Sequence, residues 1–231
     1  MLGSPKGLPY IYNMKEEIKV LLETHLSDFT VPIGIEHRGV GDLVEQKVNS
    51  ILLNHPLEFV TEALEARSKK SLEDVTWKVN NTTYWIDVKT HYIQDVTGFS
   101  MPNMSSIEKL RKLFKQPNEE LLYIMVDYTR NNNLVVISEI KVFFIWELDW
   151  SVLSIQNLGR GILQIKDNNK PLVFIGKGKK DWFGNLTKHA IAFHLKQIKH
   201  QQKLADIWET EHLDLHSHVN ENKGNEGNIQ K

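Results

Sequence analysis

The chain has 231 residues, 41% of them hydrophobic and none of them cysteine, enough for one domain with a full core but with neither a disulfide framework nor a thiolate zinc site. Its formal net charge is −1, and setting aside the acidic stretch from Glu209 to Lys231 leaves only +2, which argues against nonspecific coating of nucleic acid but not against a site with modest basic patches. The longest apolar runs, such as VFFIW, fall far short of the roughly twenty residues a membrane helix needs, the opening MLGSPKGLPYIYNMKEE lacks the continuous apolar stretch of a signal peptide, and the absence of cysteine suits the cytoplasm.

Residues 1–12, with two Pro and two Gly, read as an irregular arm. From Asn13, a candidate N-cap, Ile18, Leu21, Leu22 and Leu26 recur at helical spacing and predict a packing helix. PIGIEHRGVGD then reads as a loop carrying His37 and Arg38. A second amphipathic helix follows, with Leu43, Val44, Val48, Ile51 and Leu52 on one stripe and Glu45 off it. EFVTEALEARS predicts a third helix, running into Lys69 and Lys70.

The stretch from Asp74 to Thr90 is the most informative. VTWKV and TYWIDVK read as two strands joined at Asn80–Thr83, because β-branched and aromatic residues flank a turn-forming cluster. Along the second strand Tyr84, Ile86 and Val88 alternate with Trp85, Asp87 and Lys89, so an acid and a lysine share a face. The expected register sets Thr76 opposite Asp87 and Asp74 opposite Lys89, with the two carboxylates on diagonal positions roughly 7–8 Å apart at the backbone. Two aspartates that near repel unless a proton or a cation intervenes. A hard divalent ion such as Mg2+ takes such oxygen ligands and can add the carbonyl of Val88. An ammonium beside it, on Lys89, orients water and offsets charge on a phosphate, which is the chemistry of phosphodiester hydrolysis. The bland alternative is an ion pair with no catalytic task.

Asp74, a short gap, then Asp87-Val88-Lys89 resembles the PD-(D/E)xK nuclease motif of type II restriction endonucleases, with Glu73 where Pro is usual and Asp as the second acid. The DVKT strand, the FSMPN loop and the Ser-Ile-x-x-Leu helix resemble the same family, over residues 70–165 in all. The resemblance implies an α/β fold, a central mixed β-sheet of about five strands flanked by helices. It also implies Mg2+-dependent, sequence-specific cleavage of double-stranded DNA, with a cognate DNA methyltransferase as functional partner. Asp74 and Asp87 would hold the metal, Val88 would lend its carbonyl, and Lys89 would position or activate water. Glu45 matches the acid that such enzymes often bring from a helix ahead of the hairpin, and is otherwise a solvated glutamate.

Beyond the hairpin, a Gly- and Pro-containing loop leads to a helix opened by Ser105 or Ser106, with Glu108 placed for a capping box. Asn103, Ser105 and Ser106 are candidates for base edges, with turn-capping as the alternative for Asn103. LLYIMVDYT and LVVISEIKVFFIWEL, separated by RNNN, predict two further strands, and GILQIKD with KPLVFIG predicts another pair. GKGKKDWFGNL reads as a mobile basic loop in which Lys177, Lys179 and Lys180 suit DNA phosphates. A long helix is predicted from Asn185 to about His212.

The domain reading is one nuclease domain over 1–212 and a polar, disordered tail over 213–231; His212 at the boundary and His216 and His218 in the tail have no assigned role. One candidate site per chain and two strands to cut predict a homodimer on DNA. A structure-specific or repair nuclease of the same fold, or a noncatalytic DNA-binding protein, are the alternatives. No Walker loop, HExxH or nucleophile elbow is present.

Overall fold

The computed structural model describes residues 8–66, 68, 71–93, 103–156, 161–167, 170–175 and 178–225. Helices α1 (Leu8–Leu26) and α2 (His37–Asn54) precede strands β1 (Glu62–Glu65), β2 (Val75–Val79) and β3 (Thr82–Tyr92). Strand β4 (Asn103–Ser106) and helix α3 (Ile107–Leu113) form the crossover to β5 (Glu119–Asn131) and β6 (Leu134–Phe144). Strands β7 (Leu153–Gln156) and β8 (Ile162–Ile165) and helix α4 (Lys179–Asn225) follow.

The main sheet has the order β1-β2-β3-β5-β6. It is mixed, because β3 and β5 run parallel while the other neighbours are antiparallel. A parallel pair needs a crossover of a dozen or more residues, which β4 and α3 supply. One face carries Val75, Trp77, Ile86, Val88, Ile124 and Val126, all buried against Met14, Ile18 and Leu22 of α1 and Val40, Val44, Val48 and Leu52 of α2. Period-two alternation on the strands meets period-3.6 stripes on the helices, and this match fixes which strand face turns to the core. The predicted mixed sheet with flanking helices is therefore what the chain forms. The smaller sheet, β4-β8-β7, is antiparallel. Near it Trp182, in the first turns of α4, is buried against Phe114 and Trp150 and donates its indole N–H to the Leu148 carbonyl at 2.8 Å.

Several local expectations are corrected. EFVTEALEARS does not form a helix: Glu62–Glu65 is an edge strand, with Thr61 N donating to Lys78 O and Ala66 N to Asp74 O. Ala, Leu and Glu favour helices, but that preference is a few tenths of a kcal/mol per residue and yields to a ladder of tertiary hydrogen bonds. His37 and Arg38 begin α2 rather than lying in a loop. KPLVFIG does not pair with β8, which is held between β4 and β7; residues 170–175 instead meet the 147–149 segment through an isolated Leu148–Phe174 bridge. Lys179 and Lys180 open α4 instead of sitting in a mobile loop.

The residues fall into two compact units, 1–186 and 187–231. In the second, α4 presents Ile191, Leu195, Ile198 and Trp208 exposed. Among the described residues no helix is long and apolar enough to cross a membrane.

Candidate active site

The hairpin that carries the acids closes more tightly than expected. Val79 pairs with Thr82 and Thr76 with Trp85, so the loop is Asn80–Asn81 and the register differs by two residues from the predicted one. Asn80 has φ 52, the left-handed conformation a two-residue hairpin turn needs and one that Asn tolerates better than most residues. The consequence is chemical. Val75 pairs with Ile86, so Asp74, one step beyond, comes abreast of Asp87 rather than of Lys89. The two carboxylates are neighbours across the strands instead of diagonal.

Asp74 is fastened at both ends of its backbone–side-chain unit. Its N–H donates to Ile86 O at 2.8 Å, and its Oδ2 accepts from the Val88 N–H at 2.7 Å. Asp87 is buried in the centre of the sheet, 7% exposed. The Lys89 ammonium lies 2.6 Å from Asp87 Oδ2 and donates to the Val88 carbonyl at 3.1 Å. That ammonium is the carboxylate's counter-charge at contact distance. Burial pushes the Asp87 carboxyl up to about 7; Lys89 pulls it down, and Asp74 and Glu45 push it further up.

Glu45 reaches the same acidic centre from α2. It is half-buried, and its carboxyl is raised by burial first, then by Asp74, while Lys89 opposes the shift. Gly41 makes this approach possible: a Cβ there would stand 2.9 Å from Thr90 Oγ1 on β3 and 3.4 Å from the Tyr128 hydroxyl on β5. A bare backbone lets the first turn of α2 press against the sheet, one turn before Glu45. Glu73, at the motif's Pro position, is buried, and burial raises its carboxyl while Lys109 of α3 counteracts. Lys109 also donates to Ser71 O at 2.7 Å, tying α3 to the segment that leads into Asp74.

One residue of the centre has no counterpart in the sequence reading. Tyr123 of β5 pairs with Asp87 across the parallel strands, is fully buried, and stacks on Phe143. Burial, then Asp87 and Asp74, hold its phenol well above the usual range, so it remains protonated. Its only sequence signal is a hydroxyl within the apolar run LLYIMV, which is ordinary in a strand.

The remaining candidates lie elsewhere in the first unit. Asn103, exposed on β4, accepts from Gln164 of β8. Ser105 is buried, and Ser106 caps α3 by accepting from Lys109 N at 3.3 Å. The expected capping box does not form, because the cap is Ser106 and not Ser105, which puts Lys109 three residues on; Glu108 pairs with Arg111 at 2.9 Å. Lys179 bonds Glu120 at 2.9 Å and the Glu119 carbonyl at 2.7 Å, while Lys180 is exposed. Lys177, Lys69 and Lys70 and most of the FSMPN loop lie outside the described residues.

This sheet and its crossover are found in solved structures, among them the NlaIV restriction endonuclease, which aligns with a TM-score of 0.51 over 77% of this chain and 78% of that one. The fold is restriction-endonuclease-like. Sequence identity in that alignment is 12%, so the likeness is one of fold. No protein-family model and no curated protein matches the chain.

The residues at the hairpin fit a hard divalent ion by their chemistry. Asp87 is buried, Asp74 stands abreast of it, and two carboxylates that near each other are favoured by a cation between them. Among the described residues no three Asp, Glu or His side chains gather into a closed ligand cluster. Two carboxylates and a backbone carbonyl suit Mg2+, which keeps several of its waters, better than an ion that demands a full protein cage.

Proposed function

We propose that the chain is a Mg2+-dependent endonuclease that hydrolyses phosphodiester bonds in double-stranded DNA at a specific sequence, as type II restriction endonucleases do. The observation that carries this reading is the meeting of Asp74, Asp87 and Lys89 at the end of the β2–β3 hairpin, with Asp87 buried and its carboxyl raised. A buried acid raised by desolvation, with a specific charge partner beside it, marks a candidate functional site. The restriction-endonuclease-like fold supports the same reading.

Asp74 and Asp87 would hold Mg2+, with the Val88 carbonyl as a further ligand. Bound there, Mg2+ supplies Lewis acidity to the phosphoryl group and lowers the pKa of water. Lys89, already within reach of Asp87 and the Val88 carbonyl, orients the attacking water and offsets negative charge as it builds on phosphate. The Val88 N–H keeps Asp74 in place by its 2.7 Å bond, so the ligand geometry is fixed before substrate arrives. Glu45 adds a third carboxylate in an outer position.

Asn103, with Gln164 beside it, is assigned to base edges, and Ser105 and Ser106 support that strand from within and from the α3 cap. Lys177 and the exposed Lys180 are assigned to the DNA backbone, whereas Lys179 is held by Glu120 and the Glu119 carbonyl. Cutting both strands calls for two copies of the site, hence a homodimer on DNA, and a host DNA protected by a cognate methyltransferase.

Incubating purified protein with a sequenced plasmid and with a branched duplex, in Mg2+ and in EDTA, tests the proposal. Discrete plasmid fragments that vanish in EDTA are expected. Preference for the branched substrate would replace the reading with a structure-specific nuclease, and no cleavage of either would reduce the Asp–Lys cluster to an ion pair.

A further inference from the structure

Buried polar atoms are almost always paired, and one that is not calls for a reason. Among the described residues the Tyr123 hydroxyl on β5 is such an atom, and its cross-strand partner is Asp87 on β3, whose Oδ2 has Lys89 at 2.6 Å as its ion-pair partner. Partners in a parallel ladder point to the same face and stand one strand spacing apart, roughly 4.8 Å. A donor without an acceptor therefore stands next to a buried carboxylate on the same face. The neighbouring polar chain on that face shows the contrast. Asp127 takes His91 on one oxygen at 3.1 Å and Lys141 on the other, and Lys141 also pairs with Glu139, so that chain is internally complete. A cavity of about 760 Å3 opens there, lined by His91, Asp127, Glu139 and Lys141.

We propose that Tyr123 is a positioning residue for the acidic centre, its hydroxyl donating to Asp87 when that carboxylate turns to a divalent ion. This rests on the nuclease reading. Stacking on Phe143 at 5.8 Å between ring centroids restrains the tyrosine ring, so a bond from its hydroxyl to Asp87 would cost little rotamer freedom at the moment of binding. A carboxylate that accepts one hydrogen bond from the protein presents its other lone pairs in a defined direction, and such outer partners typically change metal affinity 10–100-fold when removed. Trp85 is the competing donor: it lies two residues before Asp87 on the same face, and its indole N–H is also buried and unpaired. The cross-strand partnership favours Tyr123, because it is the residue paired with Asp87 across the ladder and its phenol feels the Asp87 charge.

The test is a titration of the purified chain with Mn2+, an octahedral stand-in for Mg2+, followed by loss of the free-ion paramagnetic resonance signal. Tyr123→Phe keeps the ring and its stack and removes only the hydroxyl. The expected result is Mn2+ binding weakened about tenfold, a matching rise in the Mg2+ concentration for half-maximal cleavage, and a rate at saturating Mg2+ within a few-fold of wild type. Trp85→Phe should bind Mn2+ as wild type does. Unchanged Mn2+ affinity in Tyr123→Phe beside a wild type that binds would overturn the role of Tyr123 alone. Weakening in Trp85→Phe but not in Tyr123→Phe would move the donor to Trp85 and likewise overturn it. A wild-type chain that takes up no Mn2+ would remove the metal reading and this inference with it. Urea unfolding of each variant separates these results from loss of fold.

Discussion

Replacing Asp87 with Asn should make the metal-free protein more stable at neutral pH. The carboxyl is pushed from 3.8 up to about 7 by burial, with Asp74 and Glu45 adding to the shift and Lys89 opposing it. A raised acid holds its proton in the folded chain after the unfolded chain has lost it, so folding binds protons and stability falls as pH rises through that window. The slope is about 1.4 kcal/mol per pH unit, for a total on the order of 4 kcal/mol above pH 7. The Asp87→Asn protein stays neutral at every pH, as the folded wild type does below about pH 7, and would carry no such deficit. The gain is about 4 kcal/mol at pH 8 and falls to about 2 kcal/mol at pH 5, where the folded carboxyl still holds its proton. For a chain of this size that corresponds to roughly 8–16 °C in Tm at pH 8. Thermal unfolding of both proteins in EDTA from pH 5 to 8 measures it. A Tm difference that does not grow with pH, or an Asp87→Asn protein less stable at pH 8, would refute the account of Asp87 as a buried charge at odds with folding.

Asp74→Ala removes the acceptor of the 2.7 Å bond from Val88 N–H and should lower stability by about 1–3 kcal/mol. Asp74→Asn keeps a carbonyl acceptor there and should fold nearly normally while cleaving roughly 100- to 1000-fold more slowly; urea midpoints and single-turnover rates check both. Asn80→Gly should leave the hairpin's stability unchanged or slightly raised, whereas Asn80→Ala should cost about 1–2 kcal/mol because of the positive φ, and equal urea midpoints would contradict this. Lys179→Ala should lower Tm, since it breaks bonds to Glu120 and the Glu119 carbonyl. Lys180→Ala should leave Tm alone, weaken binding to cognate and random DNA alike, and reduce the salt slope by about one phosphate.

The parts of the fold that were legible are those that local periodicity dictates. The stripe of Val44, Val48, Ile51 and Leu52 and the alternation of Tyr84, Ile86 and Val88 each name their buried face directly, and the buried core follows both. What was hidden depends on partners distant in sequence. The EALE segment carries a helical preference that only the pairing of Glu62–Glu65 with β2 overrides. The hairpin register turned on whether four residues or two make the loop; both choices keep the same faces, so the pattern of apolar residues could not decide between them, and the left-handed Asn80 did. The motif residues were visible because Asp and Lys are out of place among Tyr, Trp, Ile and Val. Tyr123 was not, because its relation to Asp87 exists only through the β3–β5 parallel ladder. Lys179 looked free for phosphate because the glycines around it suggested a loop, yet it begins a helix and pairs with Glu120 of β5.

The central claim is that Asp74, Asp87 and Lys89 act together on a phosphodiester bond. Single-turnover cleavage of a sequenced duplex in Mg2+ by wild type, Asp87→Asn and Lys89→Ala tests it most directly, with folding of each protein verified by its unfolding curve. The account predicts defined fragments from wild type and a loss of at least roughly 100-fold in both variants, including the Asp87→Asn protein that outlasts wild type on heating. Cleavage by either variant at a rate near that of wild type would contradict it.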